Sequence, residues 1–171
     1  MDPLLALAAA VSLGTDPEAA ARSLEGFSSL KGRGAIREKD GMTIIDDSYN
    51  AAPDSMKAAL RVLMERPAEG RHIAVLADMK ELGDGSRELH REIGRFIASM
   101  DRRPDMVLLL GPEAALMAQE LGELSEVRLF EDTEGLEKAL ADIQRKGDVI
   151  LFKGSNSMGL SRVVDALYGG A

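Results

Sequence analysis

Four short, mainly apolar runs, Ile73–Ala77, Met106–Leu110, Val127–Phe130 and Val149–Phe152, the third interrupted by Arg128, mark the later part of the chain. Runs of this length predict strands. Between them the spacing of apolar residues changes to a period near 3.6, which predicts helices beginning near Ser86, Pro112, Thr133 and Ser157. Another helix is expected over Asp54–Glu65, where Met56, Ala59, Leu60, Leu63 and Met64 share a stripe. Strands alternating with helices specify βαβ units, right-handed crossovers and a largely parallel sheet.

Upstream, Ala35–Lys39 and Met42–Ile45 flank Asp40-Gly41, a strong two-residue hairpin signal. The second arm alternates poorly, so burial on both of its faces is expected. Near the start, Leu4–Leu13 is Ala-rich and helical and stops at Gly14. Thr15 or Asp16 then caps a second helix through Leu24. Gly26–Gly34, with three glycines and two serines, reads as a linker with a boundary near Lys31. The expected organisation is a short helical hairpin plus linker over residues 1–31, then an α/β domain over 32–171. That domain is Rossmann-like, a mostly parallel six-stranded sheet with an N-terminal hairpin strand and helices on both faces.

Composition narrows the function classes. A chain of 171 residues, 45% hydrophobic, can bury a sizeable core, and its formal charge of -8 disfavours a nucleic-acid or anionic-membrane surface. With no cysteine, disulfides, thiolate catalysis and zinc-thiolate sites are excluded. The two histidines are too far apart for a helical metal pair, so no metal site is assigned. No apolar run approaches the roughly 18 residues of a membrane span, and the opening Met-Asp-Pro lacks a basic leader, so a cytoplasmic location is expected.

The candidate chemistry sits where strands end. Asp47, Asp78, Gly111 and Lys153 each fall just past a predicted strand, and right-handed crossovers gather such ends on one rim, where parallel α/β sheets place ligands. Ile44-Ile45 runs into Asp46-Asp47-Ser48-Tyr49-Asn50, five positions holding two carboxylates, a hydroxyl, a phenol and an amide, before Pro53 starts a helix. An ordinary polar turn would use the same residue types. The second loop, Asp78-Met79-Lys80-Glu81-Leu82-Gly83, offers Asp78 or Glu81 to an ammonium and Lys80 to a carboxylate, or is simply laced with internal ion pairs. The third, Lys153-Gly154-Ser155, is expected to open the last helix, so that its amides and the Ser155 hydroxyl face an acceptor carboxylate. His90, on the helix capped by Ser86, is given no proton-transfer role. A phospho-acceptor receiver domain is a superficial alternative for Asp46-Asp47, but the acidic strand end such a fold needs near residue 10 is replaced by helix. No Gly-x-x-x-x-Gly-Lys-Ser or Thr loop occurs anywhere, so the chain alone is not expected to turn over ATP.

Taken together, Asp46-Asp47-Ser48-Tyr49-Asn50-Ala51-Ala52-Pro53, Asp78-Met79-Lys80-Glu81-Leu82-Gly83 with His90, and Lys153-Gly154-Ser155-Asn156-Ser157-Met158 resemble the C-terminal domain of the Mur ligase family. The three motifs occur in the family's order at similar spacing, the resemblance runs from roughly Pro3 to the C-terminus, and the motifs favour the member that adds D-Ala-D-Ala. The resemblance implies an ATP- and Mg²⁺-dependent amide ligation in peptidoglycan synthesis: a carboxylate of a UDP-muramoyl tripeptide is phosphorylated, and the amine of D-Ala-D-Ala attacks the acyl phosphate. It implies nucleotide contacts by Arg33, Asp47, Tyr49 and Asn50, and D-Ala-D-Ala contacts by Asp78, Lys80, Glu81, Lys153 and Ser155, with no catalytic residue assigned. It also implies that residues 1–31 are the helical tail of a central ATPase domain, that the N-terminal and central domains are missing, and that the piece is inactive alone. Three positions depart from the pattern: Ala52 where Asn is usual, Asn156 where Arg is usual, and Asp2 where Asn is usual. The missing P-loop and these departures leave open a non-catalytic nucleotide- or metabolite-binding relative, and another Mur or folylpolyglutamate-type ligase.

Overall fold

The computed structural model describes residues 3–24, 32–123 and 125–169. The linker residues 25–31, with the expected boundary at Lys31, and Asp2 lie outside the described residues. Helices α1 (Pro3–Ser12) and α2 (Pro17–Leu24) form the expected hairpin. Asp16, not Thr15, caps α2: its Oδ2 accepts from the Ala19 amide at 2.9 Å.

The domain that follows has the order β1 (Ala35–Lys39), β2 (Met42–Asp47), α3 (Pro53–Glu65), β3 (His72–Ala77), α4 (Ser86–Ser99), β4 (Met106–Leu110), α5 (Ala115–Leu121), β5 (Glu126–Phe130), α6 (Thr133–Ile143), β6 (Val149–Lys153) and α7 (Leu160–Tyr168). The six strands run β1-β2-β6-β3-β4-β5 across one sheet. Only β1–β2 is antiparallel, with Lys39 opposite Met42; β2–β6, β6–β3, β3–β4 and β4–β5 are parallel. The β1–β2 turn works because Asp40 (φ 52°) and Gly41 (φ 75°) both take the left-handed region that a two-residue turn of matching twist requires.

Strands β3, β4 and β6 are buried throughout. Their side chains alternate between two cores. One lies under α3, α4 and α5, around Met56, Leu60, Leu76, Ile93 and Leu109; the other lies under α6 and α7, around Val75, Leu108, Leu140, Phe152 and Val164. The buried methionines 42, 56, 79, 106 and 117 belong to these cores, as gap-filling side chains do.

Two helix starts differ from the sequence expectation. Helix α5 begins at Ala115 rather than Pro112, and α7 at Leu160 rather than Ser157, because a 3₁₀ turn over Asn156–Met158 and Gly159 (φ 76°) intervene. Among the described residues no helix is long and apolar enough to cross a membrane.

At the opposite edge from the rim, Asp148 is buried beneath Arg71. Its carboxylate accepts from Arg71 N (2.9 Å), Nε (3.2 Å) and Nη2 (2.6 Å), and from Arg145 N (3.0 Å). Burial pushes the Asp148 carboxyl up, but the hydrogen bonds and charge of Arg71, with the Arg145 amide, outweigh it and hold the group below the usual carboxylate value.

Candidate functional site

Because β2, β6 and β3 are parallel neighbours, their carboxyl ends meet on one rim. Asp47 and Lys153 are register partners at the ends of β2 and β6. The Lys153 ammonium, almost fully buried, lies 2.7 Å from Asp47 Oδ2 and donates to the Asn50 carbonyl at 2.7 Å. A buried ammonium needs such partners, and here they tie the last strand to the turn after β2. The expected gathering of Asp47, Asp78 and Lys153 is therefore observed, and the Ser155 amide donates to the Asp78 carbonyl at 3.1 Å to close the group.

The two adjacent carboxylates after β2 have different surroundings. Asp46 is fully buried; its Oδ1 accepts from Ser48 Oγ (2.6 Å) and N (3.3 Å), and Oδ2 pairs with Arg37 across the hairpin at 3.3 Å. Asp47 is partly open, and among the described residues nothing donates to its Oδ1. Tyr49 is half exposed, its amide donates to the Gly32 carbonyl at 2.9 Å, and the Arg33 guanidinium lies 4.2 Å from its ring centroid. The end of the linker is thus seated on the same turn, with a cation stacked on an aromatic face. Ala52 offers no side-chain cap to α3, but the Ser55 hydroxyl accepts from the Ala52 amide (3.0 Å) and donates to its carbonyl (2.9 Å).

Loop 78–83 is arranged differently from the expectation drawn from residue type. Asp78 has no exposed surface; its Oδ1 accepts from the Glu113 and Ala114 amides (3.1 and 2.7 Å) and its Oδ2 pairs with Lys80 Nζ at 2.8 Å. It faces the start of α5, acting at a distance as a helix N-terminal acceptor, and not the cleft. Gly111 makes room for it: a Cβ there would lie 2.6 Å from Oδ1, and φ is 107°. The Lys80 amide donates to Ser155 Oγ at 2.8 Å. Ser155 thus bridges two loops and precedes a 3₁₀ turn, so the expected helix N-terminus at this position is not there.

What remains open is a cleft of about 400 Å³ lined by Tyr49, Asn50, Lys80, Glu81, Ser155, Asn156 and Ser157. One wall comes from the turn after β2, the other from loop 78–83, and the floor from the segment after β6. Five of the nine expected contact residues line it; Asp47 and Lys153 stand behind the first wall, Arg33 over Tyr49, and Asp78 behind the second. Asn156 and Ser157 were not picked out as contacts by sequence reasoning, although the run Ser155-Asn156-Ser157 offers the polar composition that could have flagged them. Among the described residues no group of three or more His, Asp or Glu could hold a metal ion.

Parallel α/β architecture with a polar cleft at the carboxyl rim places the domain in the Rossmann-like class, whose members take ligands at that rim. Within that class the family described as "Mur ligase, glutamate ligase domain" matches residues 32–156, and the chain belongs to it. It is 35% identical to the UDP-N-acetylmuramoyl-tripeptide--D-alanyl-D-alanine ligase of Bacillus subtilis (strain 168), over 98% of this chain and 37% of that protein. It is 34% identical to the enzyme of the same name from Rickettsia prowazekii, over 90% of this chain and 33% of that protein. Among solved structures, the MurF ligase of Thermotoga maritima in complex with ADP superposes with a TM-score of 0.74 at 32% identity, over 93% of this chain and 35% of that one. MurF of Acinetobacter baumannii superposes with a TM-score of 0.78 at 30% identity, over 94% and 35%. The chain thus spans about a third of the length of the relatives it matches.

Proposed function

We propose that this chain supplies the C-terminal domain of an ATP-dependent, cytoplasmic amide ligase that adds D-Ala-D-Ala to a UDP-muramoyl tripeptide. Residues 1–31 are then the end of the preceding ATPase domain and its linker, and residues 32–171 the closing domain. The observation that carries the reading is the cleft itself, whose two walls have different chemistry.

The first wall suits a nucleotide. Asp47, anchored through Oδ2 by Lys153, keeps its other oxygen for a ribose diol, for which a pure acceptor is the right partner. Tyr49 and Asn50 line the adjoining contact, and Arg33, already stacked at 4.2 Å, is within the same turn to meet a phosphate. The Thermotoga relative was solved in complex with ADP, which supports a nucleotide in this family.

The second wall suits a zwitterion. Lys80 and the Ser155 hydroxyl face a carboxylate, and the exposed Glu81 carboxylate faces an ammonium. Asp78 contributes by holding the loop and Lys80 rather than by touching the dipeptide.

In the ligation the tripeptide carboxylate displaces ADP from the γ-phosphoryl group. The dipeptide amine, having given up its extra proton, then attacks the acyl carbon as phosphate leaves. ATP and Mg²⁺ supply the activating chemistry from the ATPase side. This chain's residues hold the amine in line and offset charge, and positioning of that kind carries most of the rate in phosphoryl and acyl-phosphate chemistry. The Ala52 and Asn156 departures leave both walls intact. The test is an amide NMR titration of the chain at millimolar ligand. ADP is expected to shift Tyr49 and Asn50, and D-Ala-D-Ala to shift Lys80, Glu81 and Ser155; shifts confined to other faces of the domain refute the assignment.

A further inference from the structure

The geometry points to His90 as a positioning residue for the second wall of the cleft, one that fixes the backbone of Met79–Glu81 through a single imidazole tautomer. The inference rests on the reading of loop 78–83 as the wall that meets the dipeptide. His90 lies on α4 and has no exposed surface. Its Nδ1 is 2.7 Å from the Ser86 carbonyl, one helical turn back, and its Nε2 accepts from the Met79 amide at 2.9 Å. A carbonyl can only accept and an amide N–H can only donate, so the ring must carry its proton on Nδ1 and present a bare Nε2. The histidine is thus oriented by its own helix and acts as an acceptor for a loop eleven residues upstream.

That bond is the middle member of three. The Asp78 amide donates to the Leu110 carbonyl (3.2 Å), the Met79 amide to His90, and the Lys80 amide to Ser155 Oγ (2.8 Å). Three consecutive amides are thereby tied to β4, to α4 and to the segment after β6. The Met79 side chain is buried in the core beneath α4, so both its backbone and its side chain are held. The residue that follows this clamp and Lys80 is Glu81, whose φ of 64° is in the left-handed region that a non-glycine residue rarely takes. Such a conformation persists where the surroundings over-determine it, and an exposed carboxylate at the mouth of a cleft is a place where it serves binding. Removing the His90 acceptor frees the centre of the clamp and with it the direction of Lys80 and Glu81.

The test uses the full 171-residue chain. Long-range ¹⁵N–¹H correlation spectra of His90 are expected to show a protonated Nδ1 and an unprotonated Nε2 near neutral pH; the opposite tautomer overturns the proposal, and this needs no variant. In His90→Ala, amide exchange at Met79 and Lys80 is expected to quicken at least ten-fold while β3 amides keep their protection. His90→Gln, which can accept from Met79 and donate to Ser86, is expected to restore most of the difference. Unchanged exchange in His90→Ala, or no recovery in His90→Gln, overturns the proposal. Failure of the unaltered chain to respond to D-Ala-D-Ala at Lys80 and Glu81 counts instead against the reading of the cleft, so the two failures are distinguishable.

Discussion

Replacing Asp78 with Ala separates two roles for that residue by their energetic consequences. If Asp78 were a ligand for substrate, truncation would weaken binding and leave the fold nearly untouched. In the structure its Oδ1 is the acceptor for the Glu113 and Ala114 amides at the start of α5, and the carboxylate has no exposed surface. Losing a helix N-terminal acceptor costs about 0.5–2 kcal/mol. The Ala114 residue is itself buried, so its amide would be left without a partner at a further cost of about 1–3 kcal/mol. The Lys80 pair adds little, since the Lys80 side chain is 42% exposed. Asp78→Ala is therefore expected to lose about 1.5–5 kcal/mol, or about 3–20 °C in Tm for a chain of this size. Asp78→Asn, oriented with its amide oxygen toward α5, keeps the acceptor and should recover more than half of that. Urea unfolding followed by circular dichroism at neutral pH measures both. A loss under about 0.5 kcal/mol for Asp78→Ala would refute the structural role and make Asp78 a direct ligand again.

Gly111→Ala is expected to destabilise by at least about 1–3 kcal/mol, because φ is 107° and the new Cβ would meet the Asp78 carboxylate; wild-type stability in the same unfolding assay would contradict the packing described. The Asp148 carboxyl is held below its ordinary value by Arg71 despite burial, so its contribution is fully present above the unfolded-state value near pH 4 and is lost as pH falls through the lower folded value. Stability measured from pH 6 down to pH 2 should therefore fall less steeply in Asp148→Asn than in the wild type, and parallel curves would remove the inference. Lys153→Met leaves the Asn50 carbonyl and Asp47 without their cation and should weaken ADP binding at least ten-fold, read by calorimetry on a hybrid in which residues 32–171 replace the matching domain of the Bacillus subtilis relative. Undiminished ADP affinity would detach Lys153 from the nucleotide wall. Ser155→Leu should raise the dipeptide requirement of the same hybrid through loss of the Lys80 amide's partner, and unchanged dipeptide kinetics would remove Ser155 from the site.

Much of the architecture was readable from local pattern. Asp40-Gly41 identified the hairpin because a two-residue turn of that hand demands positive φ, and apolar runs identified β3, β4 and β6 because those central strands are covered on both faces, whereas β5, at the sheet edge and carrying Arg128, is largely exposed. The gathering of Asp47, Asp78 and Lys153 followed from topology alone. What was not readable was direction. Asp78 and Asp47 look alike in sequence, both being acids after strands, yet one turns inward because amides 35 and 36 residues away need an acceptor. That partner exists only after β4 has paired with β3. The start of α7 was misplaced for a related reason: the Ser155 amide and hydroxyl are taken by Asp78 and Lys80, which holds residues 156–158 in a tighter turn before the helix can begin. His90 resembled an ordinary core histidine until its two ring partners were in view.

The central claim, that the rim of this sheet forms the acceptor side of a D-Ala-D-Ala-adding ligase, is tested most directly by exchange of parts. Residues 32–171 would replace the matching domain of the Bacillus subtilis relative, and phosphate release from ATP would be followed in the presence of the UDP-muramoyl tripeptide. Release that depends on D-Ala-D-Ala, and that falls at least ten-fold when Lys80→Ala is introduced, is the expected result. A folded hybrid whose phosphate release ignores D-Ala-D-Ala, or ignores Lys80→Ala, would contradict the claim.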